Sequence, residues 1–159
     1  MTTAAKMKLT LPTDREVVMT REFEAPRKFV FDAWTNPEML KPWLEAPGRK
    51  MEVCEIDLRV GGKYRFVWRG PGKSDVGMYG VYREVISPEC FVRTESWEDW
   101  KADETVVTTV LAEHNDKTAL TVTVLFPSKE IRDQILKAGI ETGAGESFDS
   151  LAEFLATAA

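Results

Sequence analysis

Histidine occurs once and cysteine twice in the 159 residues, and that scarcity closes off several chemistries. A structural zinc site draws its four ligands from Cys and His. No such set can be assembled, so neither a metal nor a cofactor is expected. His114 stands before Asn115-Asp116-Lys117, a run of turn formers, which places it at an exposed hairpin tip rather than in a cleft where a general base would sit. Cys54 and Cys90 lack ligand spacing and read as small hydrophobes. Long apolar runs are missing too: nothing approaches the roughly 20 residues that cross a bilayer, so no membrane span is expected. The first sixteen residues, MTTAAKMKLTLPTDRE, show no apolar signal core, and a cytoplasmic location is the expectation. Basic charge is scarce as well, since the net charge is −5 and no lysine or arginine run gathers on one stretch. Nucleic acid is therefore not expected as a partner.

Nucleotide motifs fail on inspection. Gly72-Lys73-Ser74 imitates the end of a phosphate loop, but position 67 is valine where the leading glycine belongs. Gly70-Pro71-Gly72 has Asp75 in place of the third glycine of a dinucleotide fingerprint.

What is present is the material of one domain, with 43% hydrophobic and 30% charged residues, a balance that favours a folded chain over a disordered one. Residues 1–13 read as a flexible tail and 14–159 as the domain. A first strand is expected from Arg15 to Phe23, ended by Ala25-Pro26. Phe29, Val30, Ala33 and Trp34 recur at helical spacing over 26–34. A second short helix follows, capped by Thr35 or Asn36, with Pro37 in its first turn and Pro42 at its end. Between Met51 and Phe126, β-forming runs alternate with short turns, which predicts six consecutive antiparallel strands. After Pro127 the period returns to 3.6, and Ile131, Ile135, Ile140, Phe148, Leu151 and Leu155 mark one apolar stripe from Ser128 almost to the end. Gly139, Gly143 and Gly145 mark a kink in that helix or places where a backbone or ligand comes close. The fold class is α+β: a curved antiparallel sheet of about seven strands wrapped on a long C-terminal helix, with two short helices between strands 1 and 2.

The runs REFEAPRKFVFDAWTNPEMLKPWL, DLRVGGKYRF, GVYREVISPECFVRTESW and GIETGAGESFDSLAEFLA together resemble the START-like, birch-pollen-allergen-like SRPBCC superfamily. The branch they resemble is the domain related to the C-terminal half of the activator of the ninety-kilodalton heat-shock protein ATPase, the AHSA type. The resemblance covers residues 15–157 and implies a helix-grip fold with a cavity between sheet and helix. Members range from lipid binders through polyketide cyclases to chaperone cofactors, some in stress responses, so fold alone does not name the activity. This sequence departs from the pattern at Cys90, where the family's turn usually has arginine, and at Arg93, where an apolar or aromatic residue is common. Pro42 also interrupts the segment leading to Trp43.

Tyr64, Phe66 and Trp68 alternate on one face of their strand, and the resemblance makes that row a cavity wall rather than a filled core. The expected wall is Trp43, Phe66, Trp68, Met78, Tyr82, Trp97 and Phe148, with Gly143 beside it. In the hairpin Met78 to Trp97, a two-residue turn at Pro88-Glu89 would pair Glu84 with Arg93, Tyr82 with Glu95 and Gly80 with Trp97, whose ring would cover the gap above the glycine. The face bearing Tyr82, Glu84, Arg93 and Glu95 is either the inner one, a polar group in an apolar chamber, or the outer one, ordinary surface pairs. Gly139 and Gly143, four residues apart, either open an entrance or permit close helix packing. Three functions stay open: binding a hydrophobic small molecule, accessory binding to a chaperone, and cyclase-like catalysis by Glu84, Glu95, Arg93 and Tyr82. The chain is expected to be a monomer or homodimer.

Overall fold

The structure, a computed structural model, describes residues 6–44, 48–98 and 100–158, with backbone alone at 100–103. The sheet has eight antiparallel strands: β1 (Lys8–Thr10), β2 (Glu16–Phe23), β3 (Lys50–Ile56), β4 (Lys63–Arg69), β5 (Val76–Ile86), β6 (Cys90–Trp97), β7 (Trp100–His114) and β8 (Lys117–Leu125). Their spatial order is β1-β2-β8-β7-β6-β5-β4-β3. The strand beyond the expected seven is β1, three residues of the supposed tail that pair with β2 at Met19 and its neighbours. Its brevity hid it, since three residues cannot show an alternation.

Helices α1 (Arg27–Thr35) and α2 (Pro37–Leu40) fill the connection from β2 to β3. Asn36 caps α2, its side-chain oxygen accepting from the Glu38 N–H at 3.0 Å. The expected single C-terminal helix is two helices, α3 (Lys129–Lys137) and α4 (Ile140–Ala158). Ser128 caps α3 by accepting from Ile131 N–H. The break falls at Gly139, whose φ of +96° is natural for glycine and strained for other residues. Gly139 and Gly143 therefore do not share a helix face: one is the joint, and its carbonyl accepts from the other's N–H at 3.0 Å.

Helix α4 lies against the concave face through Phe148, Leu151 and Leu155, all buried. Burial on this scale contributes about 1.5–3 kcal/mol per side chain. The same concave face collects Val17, Met19 and Phe23 from β2, and Tyr64, Phe66 and Trp68 from β4, into one apolar core.

Candidate functional site on the concave face

Cross-strand pairing stacks inner-face residues into rows. Cys54 pairs with Phe66, Phe66 with Met78, and Met78 with Trp97. A second row runs from Ile56 to Tyr64 to Gly80. Because Gly80 has no side chain, the Tyr64 ring leans into its place, 2.8 Å from where a Cβ would stand. Tyr64 is held there by donating to the Thr94 carbonyl at 2.5 Å. The third row is Tyr82 and Arg93.

The hairpin register differs from the expected one. The turn is three residues, Ser87-Pro88-Glu89, because Ile86 pairs with Cys90, and a bulge at Arg83 then shifts the ladder so that Tyr82 meets Arg93 and Met78 meets Trp97. The bulge also turns the strand over: Tyr82 is fully buried, Glu84 is exposed, and Val85 takes the inward position beside Phe91. Glu84 thus leaves the group, and Trp97 does not cover Gly80. Tyr82, Arg93 and Glu95 stay together on the inner face.

Arg93 is 4% exposed. Its guanidinium carbon lies 4.6 Å from the Tyr64 ring centre, 5.6 Å from Phe91 and 5.7 Å from Phe66. These negative ring faces favour the cation. Its Nε and Nη1 are buried without a hydrogen-bond partner among the described residues, as are the Tyr82 hydroxyl and Trp34 Nε1. Tyr82 and Arg93 are cross-strand neighbours near enough for their side chains to interact, with no hydrogen bond made by the hydroxyl or by Arg93 Nε or Nη1. Burial raises the pKa of Tyr82, with Arg93 pulling the other way. Glu95 is half-buried. Its pKa is raised because desolvation outweighs the opposing pull of Arg93 and the Trp97 indole. Cys54 is pushed up to about 11, chiefly by burial, which keeps it a thiol and a poor nucleophile. The arrangement can bind an oxygen acceptor through Arg93 and Tyr82, and Glu95 can hold a proton beside it.

Phe66, Trp68, Met78, Tyr82 and Trp97 come together on this face, with Trp68 and Trp97 stacked at 6.3 Å and 25°. Trp43 and Phe148 pack around Trp34, at ring distances of 4.9 and 6.1 Å, and join this face through Phe91, which touches both Trp34 and Tyr82. The Trp43 indole N–H is spent on the Ala33 carbonyl. Gly143 is exposed, with nothing within 4 Å of where its Cβ would be. It lines a cleft of about 1000 Å³ between α4 and the β3–β4–β5 edge, together with Arg49, Lys50, Arg69, Glu146 and Ser150. None of the other expected wall residues lines that cleft. Sequence reasoning put Tyr64 in the wall row but left Cys54 and Phe91 out of the site. The period-2 alternation of β4 carries the signal for Tyr64, whereas nothing local marks Cys54. His114 is at an exposed hairpin tip, as its turn-forming neighbours require. Among the described residues no cluster of three or more His, Cys, Asp or Glu could hold a metal ion, and no helix is long and apolar enough to cross a membrane.

A family model described as "Activator of Hsp90 ATPase homolog 1-like protein" matches residues 24–156. Among solved structures, a protein from Rhodobacter sphaeroides is similar, 26% identical with a TM-score of 0.89, over 96% of this chain and 99% of that one. A Mycobacterium smegmatis protein is 23% identical with a TM-score of 0.81, covering 93% and 95% of the two chains. CalU16 from Micromonospora echinospora shares the fold at 21% identity and a TM-score of 0.65, covering 96% and 87%. No curated protein matches the chain.

Proposed function

Since the chain belongs to the family of activator of Hsp90 ATPase homolog 1-like proteins, we propose that it is a binding module of that family. Its domain, residues 14–159, holds a hydrophobic or amphipathic small molecule between the sheet and the C-terminal helix, in the cytoplasm. The observation that carries this reading is the aromatic inner face of β4–β6, where Tyr82 and Arg93 bury polar atoms that nothing among the described residues satisfies. Packed cores leave few such atoms orphaned, while ligand sites set a few polar groups in apolar walls. Phe66, Trp68, Met78 and Trp97 form the wall in this reading. Trp43 and Phe148 back it from the packed side, and the cleft beside Gly143 is the way in.

Titrating the full chain with the neutral dye Nile red and following both dye and tryptophan emission tests this. Saturable binding that is lost in Trp97→Arg supports the chamber. No uptake of the dye overturns it.

A second reading follows from the family description itself: an accessory protein that acts on a chaperone through its surface. Pull-down from a native extract discriminates, because a stoichiometric chaperone partner would put this reading first.

A further inference from the structure

The concave face carries two buried arginines, and they are treated differently. Arg21 is 7% exposed, and its Nη1 donates to Asp149 at 2.7 Å. Arg93 is buried at least as deeply, yet among the described residues no carboxylate oxygen lies within 4 Å of its guanidinium. Taking a guanidinium out of water without a paired counter-charge carries a heavy desolvation cost, and Glu95, near it on the same inner face, opposes that cost only in its ionised form, which burial disfavours. The ring faces of Tyr64, Phe66 and Phe91 offset it in part. Directly beside it the Tyr82 hydroxyl is also buried and unbonded.

Two adjacent groups that can both donate to one oxygen, set in an apolar surround, describe a socket for a singly charged oxyanion. A phosphate dianion would bring a second charge that this socket leaves unanswered. The planar fork of arginine matches a carboxylate. At the outer end of β6 the inner-face residues Glu95 and Trp97 are half-buried, as are Cys54 and Ile56 on β3. The inner face is therefore less covered at that end than under Phe148 and Leu151, with Arg93 buried beneath the half-exposed residues.

We infer that the molecule held in the chamber is an organic acid, its carboxylate seated on Arg93 and Tyr82 and its apolar body laid along Phe66, Trp68, Met78 and Trp97. This rests on the small-molecule reading above. It adds the class of ligand and the two residues that select it.

Isothermal titration of the full chain with two matched pairs of probes tests the inference: 2-naphthoate against 2-naphthalenemethanol, and decanoate against decanol. The acid of at least one pair should bind about tenfold or more tighter than its alcohol, as a hydrogen bond to a charged group implies. Arg93→Met should erase that preference, the acid losing about tenfold or more in affinity relative to its alcohol, and Tyr82→Phe should reduce the preference in part. In the parent protein, the Arg93 Nε–H resonance should move on adding the acid and stay in place with the alcohol, a readout that needs no variant to fold. Equal affinity for acid and alcohol, a preference that survives Arg93→Met, or an acid that leaves the Nε–H resonance unmoved overturns the organic-acid inference. In those cases Nile red binding still upholds the chamber. If neither the probes nor Nile red bind, both readings fall together.

Discussion

Arg21 and Arg93 stand on the same side of one sheet, and each lies against aromatic rings. Their ends of the sheet differ. At the β2 end the protein completes itself: Asp149 of α4 reaches down to Arg21, and Phe148 meets Phe23 edge-on at 6.2 Å. At the β6 end the arginine has rings but, among the described residues, no carboxylate within 4 Å, and the inner-face residues nearby, Glu95 among them, stay half-buried. One half of the groove thus has its arginine paired by its own helix, although Arg21 Nε stays unbonded, while in the other Arg93 Nε, Nη1 and the Tyr82 hydroxyl all lack a partner among the described residues. The same physical rule, that a buried charge needs a partner, accounts for the ion pair in the first half and motivates the proposed binding site in the second.

That contrast breaks most visibly in the finished half. Phe148→Ala removes a ring that packs on both Phe23 and Trp34, and it should cost about 3–5 kcal/mol in urea unfolding. A loss below about 1 kcal/mol would mean that α4 is not gripped through this residue. The paired arginines sharpen the comparison next. Arg21→Met gives up a charged hydrogen bond to an Asp149 that is itself 70% exposed, so about 1 kcal/mol of stability should go. Arg93→Met removes a buried cation that makes no ion pair within 4 Å among the described residues, so stability should hold or rise by about 1 kcal/mol. Opposite signs in unfolding midpoints support the two-halves picture. A large loss for Arg93→Met would place it with the structural residues.

The sheet was legible because its signals are local. Alternation marks strands, Asn36 and Ser128 mark helix starts, and the short turns between Met51 and Phe126 leave no length for a parallel crossover. Three features escaped for definite reasons. Residues 8–10 pair by contacts with a strand that lies beyond them in sequence, and their composition alone says nothing. Gly139 as a joint depends on a positive φ, and one glycine in a periodic stretch does not distinguish a break from a tolerated residue. The bulge at Arg83 moved Glu84 out of the site: charge matching favoured Glu84 opposite Arg93, whereas the ladder puts uncharged Tyr82 there, and nothing in the residue pattern marks a bulge. The inner position of Tyr82 and Arg93 could be framed only as one of two faces, since parity fixes which residues go together and not which way they point.

Acid titration separates the open half from the closed one on a finer scale. Burial raises the pKa of Glu95 above its ordinary value near 4.5 in the folded protein. The folded state then binds the proton more tightly than the unfolded chain. Stability from this group is fully present below about pH 4.5 and is lost as pH rises through the raised folded value. Glu95→Gln does not titrate, so the parent should lose ground against it on going from pH 4.5 toward 8. The change should be modest because Arg93 opposes the shift, and it should grow in an Arg93→Met background. A parent that gains on the variant as pH rises would mean that Glu95 is held as a carboxylate in the fold.

The smallest stability effect belongs to the rim. Gly143 sits inside α4 with open space where a side chain would go, at the edge of the cleft. Close packing would demand a clash that is not there, so Gly143→Leu should not overpack the core. Glycine also disfavours a helix by about 1 kcal/mol relative to better formers, and the exposed apolar side chain gains little in return. The melting temperature should therefore stay level or rise slightly. If the cleft is the way into the chamber, the same leucine should slow Nile red uptake in stopped-flow mixing while leaving the amplitude reached at long times nearly unchanged. A leucine that lowers the melting temperature steeply would return Gly143 to a packing role. One that leaves the uptake rate untouched would move the entrance elsewhere, toward the half-buried Glu95 and Trp97.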